Sequence, residues 1–488
     1  MKRRGMAWVA AGVLSLWLGA GTCLAETAMQ QSVTQRGITW TFDKEYKVGQ
    51  FANGDYWVLG PVTITAISPD FDGKNNGWEV NPVVKGGHGF QAGRGFDASL
   101  VPALPWTSKG TVSVVKTTAA KKPGQSIIQG AAVLTVVEEV PPEDGAAVFR
   151  PPYVGSEKPY YRVADLKTDL LPTYEPVASM PTLESVAKRF STLQMDHKTG
   201  VVGRSMRPQD NMMDYQPKNT PAQNEAVLRL MMNDTIEAKM PALIAYVQFG
   251  IDKIHTIYLG QRWPDGGGHQ PGHYVVTAFA AVMLDIEKAK QVLRQAEFFH
   301  GSRWFYRGKD GLVLWGGPGT EEGYWRYVMT QDGNRSIRDP YGHIDGGKVS
   351  QGAYQVITSQ SHKGEILATH LMPALKDAWN MKEWQMMKEY TDRWVAVGQW
   401  AAPDPVAPFD GDVKNYKVTF GPDPQNPGMA IQGSGRFPES HGKHKDAGQY
   451  RSPYVAAMWD AYRAKAEKAG GASTTEKAAG ALTPPSVK

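Results

Sequence analysis

The feature that most constrains this chain is a change of hydrophobic period partway along it. Up to about residue 140 apolar and polar residues alternate, which sets successive side chains on opposite faces of a strand. Ile38-Thr39-Trp40-Thr41-Phe42 reads this way, as do Val62-Thr63-Ile64-Thr65-Ala66-Ile67, Thr111-Val112-Ser113-Val114-Val115 and Ala132-Val133-Leu134-Thr135-Val136-Val137. Asn53-Gly54-Asp55 lies between Gln50-Phe51-Ala52 and Tyr56-Trp57-Val58-Leu59, a hairpin signal. Short strands with turn-rich spacers predict an antiparallel β-sandwich over residues 26–145. A proline-rich linker with Pro151-Pro152, residues 146–200, is expected to pack on the domain after it. Beyond the linker the period becomes helical. Helices are expected from Thr220-Pro221, then over about 241–259, 274–297, 321–330, 350–378 (with a break at Ser361–Gly364 as an option), 382–400 and 452–467. The fold class is therefore a multidomain α+β protein, with a helical domain over 201–467 and an Ala/Gly/Lys/Thr/Pro tail, 468–488, expected to be disordered.

The amino terminus reads as a secretory signal. Lys2, Arg3 and Arg4 precede the apolar or small-residue run Met6–Ala20, and Leu24-Ala25 precedes Glu26. The run is shorter than the ~20 residues a membrane-spanning helix needs, so cleavage after Ala25 is expected, with no integral membrane segment left. Lipid attachment at Cys23 is the alternative, although the leucine usual upstream of such a cysteine is missing. Losing residues 1–25 removes three positive charges and no acids, so the formal net charge of +5 becomes +2. It also removes the single cysteine, leaving stability to the apolar core. A nearly neutral chain without basic blocks gives no reason to expect nucleic acid as a partner. With 15 Trp, 20 Tyr and 52 Gly the chain is rich in stacking surfaces and tight loops, a composition shared by many sugar-binding proteins.

Helices joined by short loops alternate in direction, so alternate loops share an end. Four segments come together by that parity. The first is Arg207-Pro208-Gln209-Asp210-Asn211, and the second is Trp263-Pro264-Asp265-Gly266-Gly267-Gly268-His269-Gln270-Pro271-Gly272-His273. The third runs from Asn334 to Asp345 and carries Arg338, Tyr341 and His343; the fourth carries Arg436, His441, His444, Tyr450 and Arg451. Five of the eleven histidines would lie on that face, beside helix N-termini that favour anions. His269, His343 and Tyr341 stand in Gly-rich loops with no apolar pattern to explain them. His255, Trp384, Met387 and Trp394 follow helical spacing and read as core, whereas Glu321-Glu322 reads as a helix cap. No cofactor is expected. His269 and His273 are four apart, but Pro271-Gly272 prevents the regular helix a zinc-protease motif requires, and a divalent metal remains only an alternative. No serine elbow or Walker loop occurs.

Gln248-Phe249-Gly250-Ile251-Asp252, followed by Gly266-Gly267-Gly268-His269 leading into an apolar helix, resembles the α/α-toroid carbohydrate-active enzymes. Among these are the heparinase- and alginate-type polysaccharide lyases, and the likeness of architecture and loop style covers about residues 200–467. Many toroid lyases carry their β-domain after the toroid; here it precedes. The resemblance implies β-elimination on an acidic, uronate-containing polysaccharide. Asn211, Arg207 and Arg451 would neutralise the carboxylate. His269 would be base or neutraliser, with His343 and Tyr341 or Tyr450 as partners. Trp263, His273, Arg338, Arg436, His441 and His444 would contact substrate. A glycoside hydrolase using two of Asp265, Asp345 and Glu439 remains open, as does a non-catalytic glycan-binding protein.

Overall fold

The computed structural model describes residues 27–121, 124–263, 269, 271–297, 305–307, 313–315, 327–329, 335–337, 354–397 and 449–465. The chain is a mixed α+β protein. Eight amino-terminal strands are followed by a linker and then by helices.

The strands are β1 (Ala28–Gln35), β2 (Ile38–Gln50), β3 (Tyr56–Leu59), β4 (Thr63–Ser68), β5 (Trp78–Val80), β6 (Trp106–Thr107), β7 (Val112–Ala119) and β8 (Ile128–Val137). All belong to one sheet, in the order β5-β7-β8-β3-β2-β4-β6, with β1 also on β2. Every pairing is antiparallel except β3 with β8. The thirteen residues of β2 pair with β4 through Thr39–Phe42 and with β3 through Val48–Gln50. Register shifts interrupt β1 on β2 and β2 on β4. Each bulge adds bend and twist, so β2 passes from one set of partners to another and the sheet curls on itself. Two facing sheets were the expectation; β1–β8 make one.

Burial explains why the pattern looked two-layered. Trp40, Ile64, Trp78, Val114, Leu134 and Val136 form a core inside the curl. On the opposite face of β7 and β8, Val115, Ile128, Ala131 and Val133 meet Tyr153, Val154, Leu193, Met195 and Met206 of the linker region. β7 and β8 are therefore buried on both faces, which accounts for their nearly continuous apolar runs. The second layer is linker, not sheet. That linker carries α1 (Leu183–Phe190) and α2 (Gly200–Met206), and it bonds into the helical half through Lys167 N to Met283 O, 2.7 Å, and Tyr174 N to Met231 O, 2.9 Å.

The helices are α3 (Gln216–Leu230), α4 (Ile236–Tyr258), α5 (His273–Met283), α6 (Glu287–Arg294), α7 (Tyr354–Leu371), α8 (Met381–Val397) and α9, residues 453–465. Several boundaries differ from expectation. Helix starts were expected at Thr220-Pro221 and about residue 241, yet α3 and α4 each begin earlier and carry Pro221 and Pro241 inside. The Thr235 hydroxyl accepts from Ala238 N at 3.3 Å, so the true cap of α4 precedes Pro241. One missing amide near the first turn does not outweigh such a cap. The single helix expected over 274–297 is two, divided where Asp285 takes φ 50°, a left-handed conformation that aspartate tolerates. Residues 327–329, expected in a helix over 321–330, instead form a strand paired with 335–337. Strands 305–307 and 313–315 make another hairpin that no sequence pattern announced. α7 runs unbroken through Ser361–Gly364.

Helices α3 and α7 are parallel. Asn224 Nδ2 donates to Ser361 O at 3.1 Å, and near their far ends Tyr174, bonded to Met231, also reaches Leu371 O at 3.0 Å. Gly272 at the start of α5 bonds Glu365 of α7, and the amino-terminal end of α9 lies at Glu225 of α3. The N-termini of α3, α5, α7 and α9 thus face one end, as the parity reading expected, although the helices counted to reach it differ.

Candidate functional site

At that end a charged cluster is built from four elements. Asp196 lies in the linker after α1, Arg207 follows α2, Lys253 sits near the end of α4 and His273 opens α5. All four are almost fully buried. Asp196 Oδ1 accepts from Arg207 Nη2 at 3.1 Å, and Oδ2 accepts from Lys253 Nζ at 2.7 Å. Lys253 Nζ also lies 2.5 Å from His273 Nδ1, and His273 Nε2 is 2.8 Å from the carbonyl oxygen of His269. A carbonyl only accepts, so Nε2 carries the hydrogen and Nδ1 accepts from the lysine ammonium. Trp263 stacks on His273 at 3.9 Å and 15°.

Burial alone would raise Asp196, but Arg207, Lys253 and His273 overcome it and hold the carboxyl below the usual carboxylate range. Burial pushes Lys253 down to about 8 even with Asp196 beside it. His273 is driven well below its ordinary value by burial and then by Lys253, so its ring is neutral. One carboxylate faces two cations, leaving a buried positive excess. The Nε and Nη1 atoms of Arg207 are buried with no hydrogen-bond partner among the described residues. An unsatisfied guanidinium edge is costly and seeks an anion.

His269 is half-buried and feels the charge of Arg207 and Arg204. Its ring meets Tyr215 edge to face at 5.9 Å and 85°, and Arg204 covers Tyr215 at 4.6 Å. Burial first, then Arg207 and Arg204, lower the His269 imidazole below its ordinary value, leaving it neutral and basic near pH 7. Three bonds hold the segment that carries it. His273 takes the His269 carbonyl, the Thr220 hydroxyl donates to Pro271 O at 3.3 Å, and Gly272 N donates to Glu365 Oε1 at 2.6 Å. Gly272 has φ 84°, and a Cβ there would strike Gln223 and Thr220. Burial raises Glu365 to about 8 despite the Gly272 bond, so it is a neutral carboxylic acid at pH 7.

Of the residues singled out from sequence, Arg207, Trp263, His269 and His273 come together, but with different tasks. His273 and Trp263 are buried, so they support the His269 segment and do not face solvent. Asn211 is buried too, and its Nδ2 bonds the carbonyls of Leu193 at 2.6 Å and Ala131 at 3.4 Å, which makes it a strut between sheet and linker. Tyr450, at φ 57°, and exposed Arg451 lead into α9 and its cap at Ser452. His343, Tyr341, Arg338, Arg436, His441 and His444 lie outside the described residues, as do Asp265, Asp345 and Glu439. Sequence reading missed Asp196, Arg204, Tyr215, Lys253 and Glu365. Two of these carried a signal, since Lys253 and Glu365 interrupt apolar stretches at core-facing positions. Among the described residues no three His, Cys, Asp or Glu side chains come together as metal ligands.

No family model, curated protein or solved structure matches the chain.

Proposed function

We propose that the protein is an exported lyase that cleaves a uronate-containing polysaccharide by β-elimination, its helical half forming an α/α-toroid around the substrate. The observation that carries this reading is a neutral, half-buried His269 that shares the Tyr215 ring with the partly exposed Arg204 guanidinium, over the buried cluster of Arg207, Asp196 and Lys253. Elimination needs that pair. The C5 proton of a uronate is acidic enough to remove only when a cation or hydrogen-bond donor neutralises the carboxylate. Arg204 would take the carboxylate and His269 the proton, with the buried Arg207 adding positive charge beneath them. As the C4–O bond breaks, a C4–C5 double bond forms and the leaving oxygen takes a proton from a neighbouring hydroxyl, for which Tyr215, its ring 5.9 Å from that of His269, is the candidate. A glycosidase would instead use two carboxyl groups about 5–10 Å apart across a cleft. Among the described residues at this end Asp196 is tied to Arg207 and Lys253, and Asp214 to Arg204 and Lys218, while Asp265, Asp345 and Glu439 lie outside them. The pattern of residues 1–25 supports export, where such a polymer is met.

The test is incubation with alginate, glucuronan, pectin and glycosaminoglycans, following the ultraviolet absorbance of unsaturated uronate. His269→Ala is expected to lower turnover about 10²–10⁴-fold with an unchanged circular dichroism spectrum. An unchanged rate removes His269 from the chemistry.

A further inference from the structure

On α4, His255 follows Lys253 by two residues and so stands about 200° further round the helix. There it faces a cavity of about 390 Å³ between the end of α4, the linker at Val154–Glu157 and α6. That volume lies within the range of small-molecule sites. Its walls combine three kinds of group. Among the described lining residues Arg262 and Lys288 are cationic, Arg262 with Nη1 on the carbonyls of Ile257 and Gln261, against one acid, Glu157, whose Oε2 is 4.0 Å from Lys288 Nζ. Tyr161 Oη lies 3.1 Å from His255 Nε2, and burial, then Lys158 and Lys288, lower His255 to about 4, so the imidazole is neutral. Leu259, Val292 and the ring of Tyr258 supply apolar surface, with Lys288 Nζ 4.5 Å from that ring. The Tyr258 hydroxyl is buried and has no hydrogen-bond partner among the described residues. Orphaned buried hydroxyls are uncommon and call for a partner.

We propose that this cavity binds a small hydroxylated carboxylate, about the size of one uronic acid residue, at a site separate from the His269 cluster. Lys288 and Arg262 face the carboxylate, while the Tyr258 hydroxyl and His255, held by Tyr161, meet the ligand hydroxyls. The apolar wall covers the carbon-bound hydrogens of the ring. The site goes beyond the proposed lyase activity and does not depend on it.

Calorimetric titration of the full chain with glucuronate, glucose and acetate tests it. Glucuronate is expected to bind at least about tenfold more tightly than either control. Lys288→Ala and Tyr258→Phe should each weaken it about tenfold. Lys288 is largely exposed and Tyr258→Phe removes one oxygen, so both variants keep the fold. Absence of glucuronate binding, equal affinity for glucose or acetate, or affinity indifferent to both cavity variants overturns the proposal. Cleavage of acidic polymer by Lys288→Ala at the normal rate separates this outcome from the fate of the lyase reading.

Discussion

Glu365 illustrates what single buried residues do here. Its carboxyl accepts from Gly272 N and so fixes the turn into α5, yet burial raises it to about 8 from an ordinary 4.5. In the unfolded chain the proton leaves near 4.5; in the folded protein it stays until about 8. Between those values the unfolded state binds fewer protons, so stability falls as pH rises through that window and levels off above it. Glu365→Gln keeps an acceptor for Gly272 and removes the titration. Urea unfolding at pH 5 and pH 9 should find the variant more stable than wild type at pH 9, with a smaller difference at pH 5. An equal difference at both would contradict the assignment. Such residues were only half legible. His269 stood out because no apolar pattern accounts for it, and Arg207 because helix direction brings its segment to the same end. Asp196 and Tyr215 looked like ordinary linker residues, because what distinguishes them is the partner each meets across the fold. His273 was legible as part of the site but not in its task, which depends on Lys253 lying 2.5 Å from its Nδ1.

At the scale of elements, the strands were read well because a half-buried strand writes its burial directly into a period of two. Helix boundaries were read less well. Pro221 and Pro241 lie inside their helices because a packed face, and for Pro241 also the Thr235 cap, outweighs one lost amide, and neither packing partner is visible locally. Asp285 ends α5 by adopting a conformation that many residues avoid, a signal hidden inside an apolar stretch. The crossing of α4 and α5 is sharper in its demands. A Cβ on Gly250 would run into Ala280 and the carbonyl of Val276, so the helices approach at a distance that only glycine permits. Gly250→Ala is expected to destabilise by about 1–3 kcal/mol through overpacking, despite the better helix propensity of alanine. Chemical denaturation measures it; a neutral or stabilising result would mean the crossing relaxes without loss.

Over the whole molecule, the two halves are joined by a buried ion network. Arg150 in the linker pairs with Asp55 from the β2–β3 turn at 2.7 Å and with Asp252 of α4 at 2.6 Å. All three are nearly inaccessible, and removing one partner of such a set is far costlier than the set is stabilising. Together with the linker that covers β7 and β8, this network fixes where α4 stands, and hence where Lys253 holds His273 and the His269 segment. The mixed α+β architecture was legible in the change of period. The single curled sheet was not, because two-sided burial of β7 and β8 looks the same whether a second sheet or a linker covers them. The end of the helical half that gathers His269 was legible from helix direction, and its charge balance was not. The central claim is elimination at that end, and the fate of solvent oxygen tests it most directly. An acidic polysaccharide is cleaved in water enriched in heavy oxygen, and the new chain ends are analysed by mass spectrometry. Elimination predicts unsaturated ends with no solvent oxygen incorporated; saturated ends carrying heavy oxygen, or no cleavage of any uronate polymer, would contradict it.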